Sequence, residues 1–196
     1  MAQQLLDIIR QRRSIRRYSS EVLDPLEVST ILEAGLRAPS SRGAHTTQFI
    51  LVEDPEHLEA LSYMRAEGAA FLREVPLAVI VLGSPMECES WMADASLAAG
   101  YMQLQCEALG LGSCWAAVYG QYTANGQDCS EYVRQLLHIP YQLEVLCALA
   151  IGHKAEELEP HKSDSLRWEQ IHIGYYPSLE ADSSAQGNGE TPSTQA

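Results

Sequence analysis

The residues best suited to bind a ligand form a cluster of arginines near the amino end. Five of the thirteen Lys and Arg residues lie between Arg10 and Arg17, in a chain whose net charge is −13. Cations in the last turn of a helix offset the negative end of its dipole, which accounts for Arg12 and Arg13 but not for Arg16 and Arg17. Arginines that flank a serine can bind a phosphate together. Spacing alone leaves both interpretations open, a helix terminus and an anion site.

A second candidate is the segment Gly112-Ser113-Cys114-Trp115. It matches the Gly-Ser-Cys-Trp of papain-like proteases, in which the cysteine is the nucleophile. However, Leu111 stands where that pattern needs another cysteine. Only 82 residues (196 − 114) follow Cys114, whereas the partner His and Asn should lie about 130–150 residues downstream. A dinucleotide fingerprint is also a poor match, because the segment ends a helix instead of beginning one. A tight helix-to-strand turn is the favoured interpretation.

The composition argues against several classes of function. A net charge of −13 disfavours nucleic acid and anionic membranes as general partners. The six histidines show no HxxxH or HxH pairing and the five cysteines no CxxC spacing, so we predict no metal site. Because the cysteines do not form a disulfide pattern and the first residues do not form a signal peptide, we expect a cytoplasmic protein.

A long helix organises the predicted fold. Residues 91–110 hold only two formal charges, Asp94 and Glu107, among many Ala, Leu and Met residues that favour helix. Because these charges lie far apart around the helix, we expect it to be buried nearly all round, against other elements or a second subunit. Its apolar run is too short to span a membrane. Gly110 and Gly112 should end it.

The other segments alternate between strand and helix patterns. Strands are predicted at residues 48–52, 76–82 and 143–151, and directly after the long helix. Helices are predicted at residues 3–13, from Pro25 with Asp24 as the N-cap, at 56–74 in two pieces separated near Gly68, and from Ser130 as a cap to His138. This order indicates an α/β or α+β sandwich around four or five strands. Residues 178–196 are expected to be a disordered polar and acidic tail after a single domain, residues 1–177.

Taken together, the motifs resemble the FMN-dependent nitroreductase family, in order, over about residues 5–175. Arg12-Arg-Ser-Ile-Arg-Arg-Tyr18 looks like that family's R-x-S-x-R/K-x-Y/F element. Ala38-Pro-Ser-Ser-Arg-Gly43 is similar to its A-P-S-S-x-N loop, and Gly110-Leu-Gly-Ser-Cys-Trp115 resembles its G-L-G-x-C-W turn. Each motif is weak by itself, whereas their common order is specific.

The resemblance implies an α+β, three-layer sandwich with a central, mainly antiparallel sheet of four to five strands flanked by helices. It implies an intertwined homodimer in which the long helix 91–110 is buried and two FMN molecules lie in the interface. Ile171–Tyr175 would pair with the partner's sheet. The domain, residues 1–177, would bind FMN.

The resemblance also implies roles for individual residues. Phosphate and ribityl contacts would come from Arg12, Arg13 and Ser14, with Lys162 and Arg167 as further phosphate candidates. Arg16 would lie near the N1–C2=O edge of the flavin, where negative charge collects on reduction. Contacts from the other subunit and from the turn would come from Pro39, Ser40, Ser41, Gly43, Cys114, Trp115, Ala116 and Ala117.

The sequence departs from the family pattern at three places. Gly43 replaces the asparagine of the Ser-Ser-x-Asn loop, and His45-Thr-Thr47 replaces the Gln-Pro-Trp that often follows. The basic residues near the end are also not at the family's spacing. These departures concern the contacts from the partner subunit and the substrate pocket more than the phosphate site.

The function implied is an oxidoreductase that transfers hydride from NADH or NADPH through flavin N5 to an electron-poor small molecule, such as a nitroaromatic or a quinone, in a ping-pong cycle. Such chemistry needs no protein nucleophile, which agrees with the lack of a convincing catalytic dyad. The alternatives are a flavin-binding storage or sensing protein with little turnover and, third, a thiol hydrolase.

Overall fold

A computed structural model describes residues 2–176, except for the side chains of Ala2 and Gln3. One compact unit extends to Pro160, and a second begins at His161. The tail predicted at residues 178–196 lies outside the described residues, as does the last residue of the predicted domain, Pro177.

Within residues 2–176, four strands form a single antiparallel sheet. They are β1 (Gln48–Val52), β2 (Leu77–Gly83), β3 (Gly112–Ala117) and β4 (Glu144–Gly152), in the order β1-β2-β4-β3. All three neighbouring pairs are antiparallel. The predicted α+β class and antiparallel sheet are therefore confirmed, and β3 is an edge strand.

In the part of the chain that the structure describes, five α-helices surround the sheet: α1 (Ala2–Gln11), α2 (Pro25–Leu36), α3 (Pro55–Ser62), α4 (Trp91–Ala108) and α5 (Cys129–Leu137). Short 3-10 turns lie at Ser41–Gly43, Ala70–Glu74, Ser163–Ser165 and Trp168–Gln170. The segment predicted as two helical pieces at residues 56–74 is α3 followed by the turn at Ala70–Glu74. Within residues 2–176, none of the helices is both long enough and apolar enough to cross a membrane.

Local side chains set where two of these helices begin. Asp24 caps α2 as predicted: its carboxylate accepts from Leu26 N–H at 2.7 Å, and Glu27 closes a capping box. The predicted cap of α5 is wrong. Asp128 caps this helix by accepting from Glu131 N–H at 3.0 Å, whereas Ser130 donates to Glu144.

The core has two halves, one on each face of the sheet. In β2, Ala78, Ile80 and Leu82 face the half that includes α3 and α5. Leu77, Val79 and Val81 face the half that includes α2 and α4. Strand side chains alternate between faces, so this fully buried strand supplies apolar groups to both. The layers are helix, sheet and helix, as predicted.

The central helix α4 is buried on one face only within the single chain. Its buried face includes Ala95, Ala99 and Met102, at 0% exposure. The opposite face is apolar too, but Leu97 and Tyr101 are 45% and 42% exposed. Within residues 2–176 this apolar face has no cover, so the expected burial on this side, against a second subunit, stays a prediction.

Two glycines follow α4 and have different structural roles. Gly110 adopts φ +77°, and the N–H groups of Gly110 and Leu111 bond to Glu107 and Cys106 at 3.0 and 2.8 Å, which ends the helix in a Schellman motif. Gly112 does not end the helix as predicted; it begins β3. A Cβ there would come within 2.9 Å of the Ile15 side chain, so glycine permits close packing at this point.

Candidate functional site

The arginine segment, residues 12–18, is held in an extended path between β3 and the chain that follows β4. Ile15 N–H donates to the Ser113 carbonyl at 3.1 Å, and Ser19 N–H donates to the His153 carbonyl at 3.0 Å. Ala155 N–H donates to the Arg17 carbonyl at 3.0 Å. These long-range bonds fix the main chain on which the arginines are carried.

Two apolar side chains anchor the same segment. Ile15 and Tyr18 are 2% and 8% exposed, and the Tyr18 hydroxyl donates to the Ile15 carbonyl. Burial raises the pKa of Tyr18 far above its ordinary value of 10.0, so the phenol stays neutral. Because Ile15 and Tyr18 point into the core, Arg16 and Arg17 between them remain exposed.

Glu156 is a site residue that the sequence analysis missed. Its Oε1 accepts from Arg16 N–H at 2.6 Å and from Arg17 N–H at 3.1 Å. The Arg16 guanidinium lies 3.4 Å from the Ser14 carbonyl and 6.0 Å from the centre of the Phe71 ring. Glu156 therefore holds the main chain at Arg16 and Arg17. No sequence motif predicts this contact, because it joins residues that are 140 positions apart.

Arg12, Ser14 and Trp115 line one open cleft of about 910 Å³. The exposed face of α4 supplies its apolar wall, which includes Leu97, Tyr101 and Leu104. Arg12 is half-buried, and its guanidinium has neither a hydrogen-bond nor a salt-bridge partner within residues 2–176. A positive group next to an aromatic and apolar wall suits a ligand with an anionic end and a flat ring.

Arg13 points into a different cleft, of about 550 Å³. Its guanidinium donates to the carbonyl of Glu159. Lys154 lies in the same cleft, with its ammonium 2.9 Å from both carboxylate oxygens of Glu107. The structure thus brings Arg12 and Ser14 together and separates Arg13 from them.

The edge of β3 offers main-chain donors. The Ser113 carbonyl points away from β4, since it accepts from Ile15. Because main-chain groups alternate in direction along a strand, the N–H and carbonyl groups of Trp115 and Ala117 also point away from β4. Cys114 and Ala116 belong to the half of the core that includes α3 and α5, whereas Trp115 packs against the half that includes α2 and α4. The side chains of Cys114 and Ala116 therefore lie on the opposite face of β3 from Trp115.

Cys114 does not have the environment of a nucleophile. Its side chain is 1% exposed. Burial raises the pKa of its thiol, and the nearby charges of Arg16 and Arg12 offset this only in part. A thiol rather than a thiolate is present at neutral pH, which argues against the thiol hydrolase hypothesis.

The loop with Pro39, Ser40, Ser41 and Gly43 does not line the cleft of Arg12 within one chain. Pro39 and Ser40 line a small cavity of about 30 Å³, and Ser41 lines another of about 270 Å³. Ser41 N–H donates to both carboxylate oxygens of Asp94, at 2.9 and 3.0 Å. The sequence singled out Asp94 as a charge in an apolar helix, but not as a support for this loop.

Lys162 and Arg167 belong to the second unit, which begins at His161. Lys162 precedes a short turn in which the Ser165 hydroxyl donates to its carbonyl at 2.6 Å. A phosphate role for Lys162 and Arg167 stays a prediction. Among the residues the structure describes, no group of three or more His, Cys, Asp or Glu side chains is arranged to hold a metal ion.

Comparison with known proteins adds evidence of descent. The sequence profile of the nitroreductase family matches residues 9–91 and 67–153. Among solved structures, an FMN-dependent nitroreductase from Clostridium difficile R20291 superposes with a TM-score of 0.84. It is 36% identical, and the match covers 87% of this chain and 99% of that one.

Curated relatives agree with the family profile. A protein of Methanothermobacter thermautotrophicus named "Putative NADH dehydrogenase/NAD(P)H nitroreductase" is 29% identical over 177 residues, covering 86% of each chain. An NAD(P)H FMN reductase of Bacillus subtilis is 26% identical over 174 residues, covering 78% of this chain and 67% of its own length.

Proposed function

This chain belongs to the nitroreductase family, and we propose that it reduces an electron-poor small molecule, such as a nitroaromatic compound or a quinone. It is an NAD(P)H-dependent oxidoreductase with FMN as its cofactor. Bound FMN supplies the hydride chemistry at its N5 atom, which lets the donor and the acceptor react in turn at one site.

One observation supports the proposed site more than any other. The half-buried guanidinium of Arg12, without a partner in the described chain, shares an open cleft with Ser14 and Trp115. A guanidinium and a hydroxyl fit the phosphate end of FMN, and an aromatic and apolar wall fits its ring. The volume of about 910 Å³ is also in the range of cofactor sites. The residues present therefore fit the group.

Main-chain and side-chain donors would orient the ring. We assign the outward N–H groups of Trp115 and Ala117 to the polar edge of the flavin. The positive charge of Arg16, held near the Ser14 carbonyl, would stabilise negative charge on the pyrimidine side of the ring. The second phosphate contact would come from Arg13, Lys162 or Arg167, of which Arg13 first has to leave the Glu159 carbonyl.

A second copy of the chain would complete the site. The exposed apolar face of α4, with Leu97 and Tyr101, forms a wall of the cleft and needs cover from water. Helix α1 adds Leu5, Leu6 and Ile9, which are 54%, 42% and 49% exposed. A homodimer would bury both faces and bring Pro39–Gly43 of one copy to the cofactor of the other.

The cysteines support a proposal about the compartment in which the protein works. All five are free and buried in the described chain. Thiols in this state suit a reducing compartment, which supports a cytoplasmic protein.

Purified protein tests the proposal in two steps. FMN released on denaturation should amount to one molecule per chain, and size-exclusion chromatography with light scattering should give the mass of a dimer. Steady oxidation of NADH or NADPH with a quinone or a nitroaromatic compound should then follow. A yellow protein that fails to turn over with either donor would be the storage or sensing protein instead, whereas a protein that takes up no FMN would overturn the site itself.

A further inference from the structure

The carboxylate of Asp94 ties helix α4 to the loop at residues 39–45. Asp94 is 5% exposed, and both of its oxygens accept from Ser41 N–H. The Cys88 thiol donates to Oδ2 at 3.4 Å. No salt bridge to Asp94 is present in the part of the chain that is described. A buried carboxylate is costly, and the main-chain donor of this one is the Ser41 amide of the loop, which points to a need for that loop's position.

The loop itself has an unusual main chain. Arg42 and His45 adopt φ +53° and +47°, and Gly43 between them adopts φ +65°. Positive φ costs energy in residues other than glycine and persists where the surroundings enforce it. Within the loop, Ser40 accepts from Gly43 N–H at 3.1 Å and, through its hydroxyl, from His45 N–H at 3.0 Å. The bond from Ser41 to Asp94 attaches this preformed loop to the core.

One helix therefore supports two features. Asp94 is buried and faces the loop, whereas its neighbours Ala93, Ser96 and Leu97 line the cleft of Arg12. We propose that Asp94 is a positioning residue that holds the loop at residues 39–45 in the shape that completes the cofactor site of the neighbouring subunit. The proposal rests on the proposed function, because it takes the FMN site and the homodimer from it.

Single variants give the first test. Asp94→Ala removes both acceptors of Ser41 N–H and should lower kcat/KM for the acceptor by about 10- to 100-fold, since a shift of about 1 Å can have that effect. Asp94→Asn keeps one carbonyl oxygen for the same N–H and should retain most of the activity. Ser130→Ala is a matched control, because Ser130 is 4% exposed and hydrogen-bonded, but lies on the other side of the sheet.

Ser41→Pro gives a second variant that leaves Asp94 in place. Proline removes the N–H that donates to Asp94 and also the Ser41 hydroxyl, so Ser41→Ala, which loses the hydroxyl but keeps the N–H, is its control. Ser40, which precedes it, has the extended φ of −135° and ψ of 154° that a residue before proline adopts. The variant should show the same loss as Asp94→Ala, and it keeps the test valid if Asp94→Ala fails to fold.

Mixed dimers give the decisive test. A dimer of one Arg12→Ala chain and one Asp94→Ala or Ser41→Pro chain, purified with two different tags, would contain one site in which both defects meet and one intact site. Its kcat/KM for the acceptor, per dimer, should recover to about half of the wild-type value, although each parent homodimer is impaired. If the loop served its own chain, each site would carry one defect and the mixed dimer would be as impaired as its parents.

The outcomes separate the two proposals. Wild-type protein without FMN or turnover would overturn the proposed function. If the wild-type protein turns over and the Asp94→Ala or Ser41→Pro variant is equally active, only the role of Asp94 would be overturned. A mixed dimer no more active than its parents would overturn positioning across the interface.

Discussion

Arg12 and Arg134 show how surroundings decide the use of a guanidinium. Arg134 is 8% exposed, and its nitrogens lie 2.7 Å from Glu131, 3.2 Å from Glu144 and 3.0 Å from the Leu143 carbonyl. Arg12 faces an open cleft, and its guanidinium has no partner within residues 2–176. A buried guanidinium that is paired cannot be removed without leaving its partners uncompensated, whereas one left unpaired beside a cleft is available to a ligand.

The largest effect on the stability of the fold is expected from replacing Arg134. Arg134→Ala leaves two carboxylates and a carbonyl without their donor, so it should lower the free energy of unfolding by about 3 kcal/mol. Urea denaturation of the FMN-free protein measures this. The FMN affinity of the folded variant should equal that of the wild type; a selective loss of FMN binding would remove the distinction between the two arginines.

Arg12→Ala should have the opposite profile. It should weaken FMN binding by roughly 2–5 kcal/mol, as the loss of one partner of a buried charge pair does. The free energy of unfolding without FMN should change little, because its guanidinium makes no hydrogen bond or salt bridge within residues 2–176 that could be lost. Arg17→Ala, which removes the same charge from an exposed position outside the cleft, is the control for isothermal titration calorimetry. Equal FMN affinity in the two variants would contradict a phosphate role for Arg12.

A smaller effect concerns acid. The hydrogen bond from Arg134 lowers the pKa of Glu131 below its ordinary value of 4.5. Protonation then favours the unfolded chain, so Glu131 stabilises the fold above pH 4.5 and this contribution is lost as the pH falls through the lowered pKa. When the pH is lowered from neutral to pH 3, which is about 1.5 units below that ordinary value, the free energy of unfolding of Glu131→Gln should therefore fall less than that of the wild type. If the free energy of unfolding changed with pH in the same way for both proteins, the titration of Glu131 would not contribute to stability as described.

Cys114→Ser should have the smallest effect. The buried thiol is protonated and no step uses it, so turnover with NADH or NADPH should stay within about twofold of wild type. Steady-state kinetics on FMN-loaded protein checks this. Complete loss of turnover with FMN still bound would revive a thiol nucleophile.

Sequence predicted those parts of the fold that depend on near neighbours. The strand Gln48–Val52 was predicted with the bounds that the structure has, because a short apolar and β-branched run ends just before the breakers Asp54 and Pro55. The start of α2 followed from Asp24 and Pro25. The cap of α5 was missed because Asp128 and Ser130 are both good cap residues, and the contact of Ser130 with Glu144 decides between them.

The site depends on long-range pairing, which composition does not encode. Both faces of α4 are apolar in sequence, so nothing local distinguishes the face that packs on the sheet from the face that lines the cleft. Arg12 and Arg13 are neighbours with the same chemistry, yet a carbonyl 146 residues away holds Arg13 in a different cleft. The supports from Asp94 and Glu156 likewise join segments that are 53 and 140 residues apart.

Titration of the FMN-free protein with FMN and with riboflavin tests the cleft most directly, because the two flavins differ only in the phosphate. The account predicts that FMN binds with one site per chain and at least about 30-fold more tightly than riboflavin, and that Arg12→Ala removes most of this difference. Equal affinity of the wild-type protein for the two flavins would contradict it.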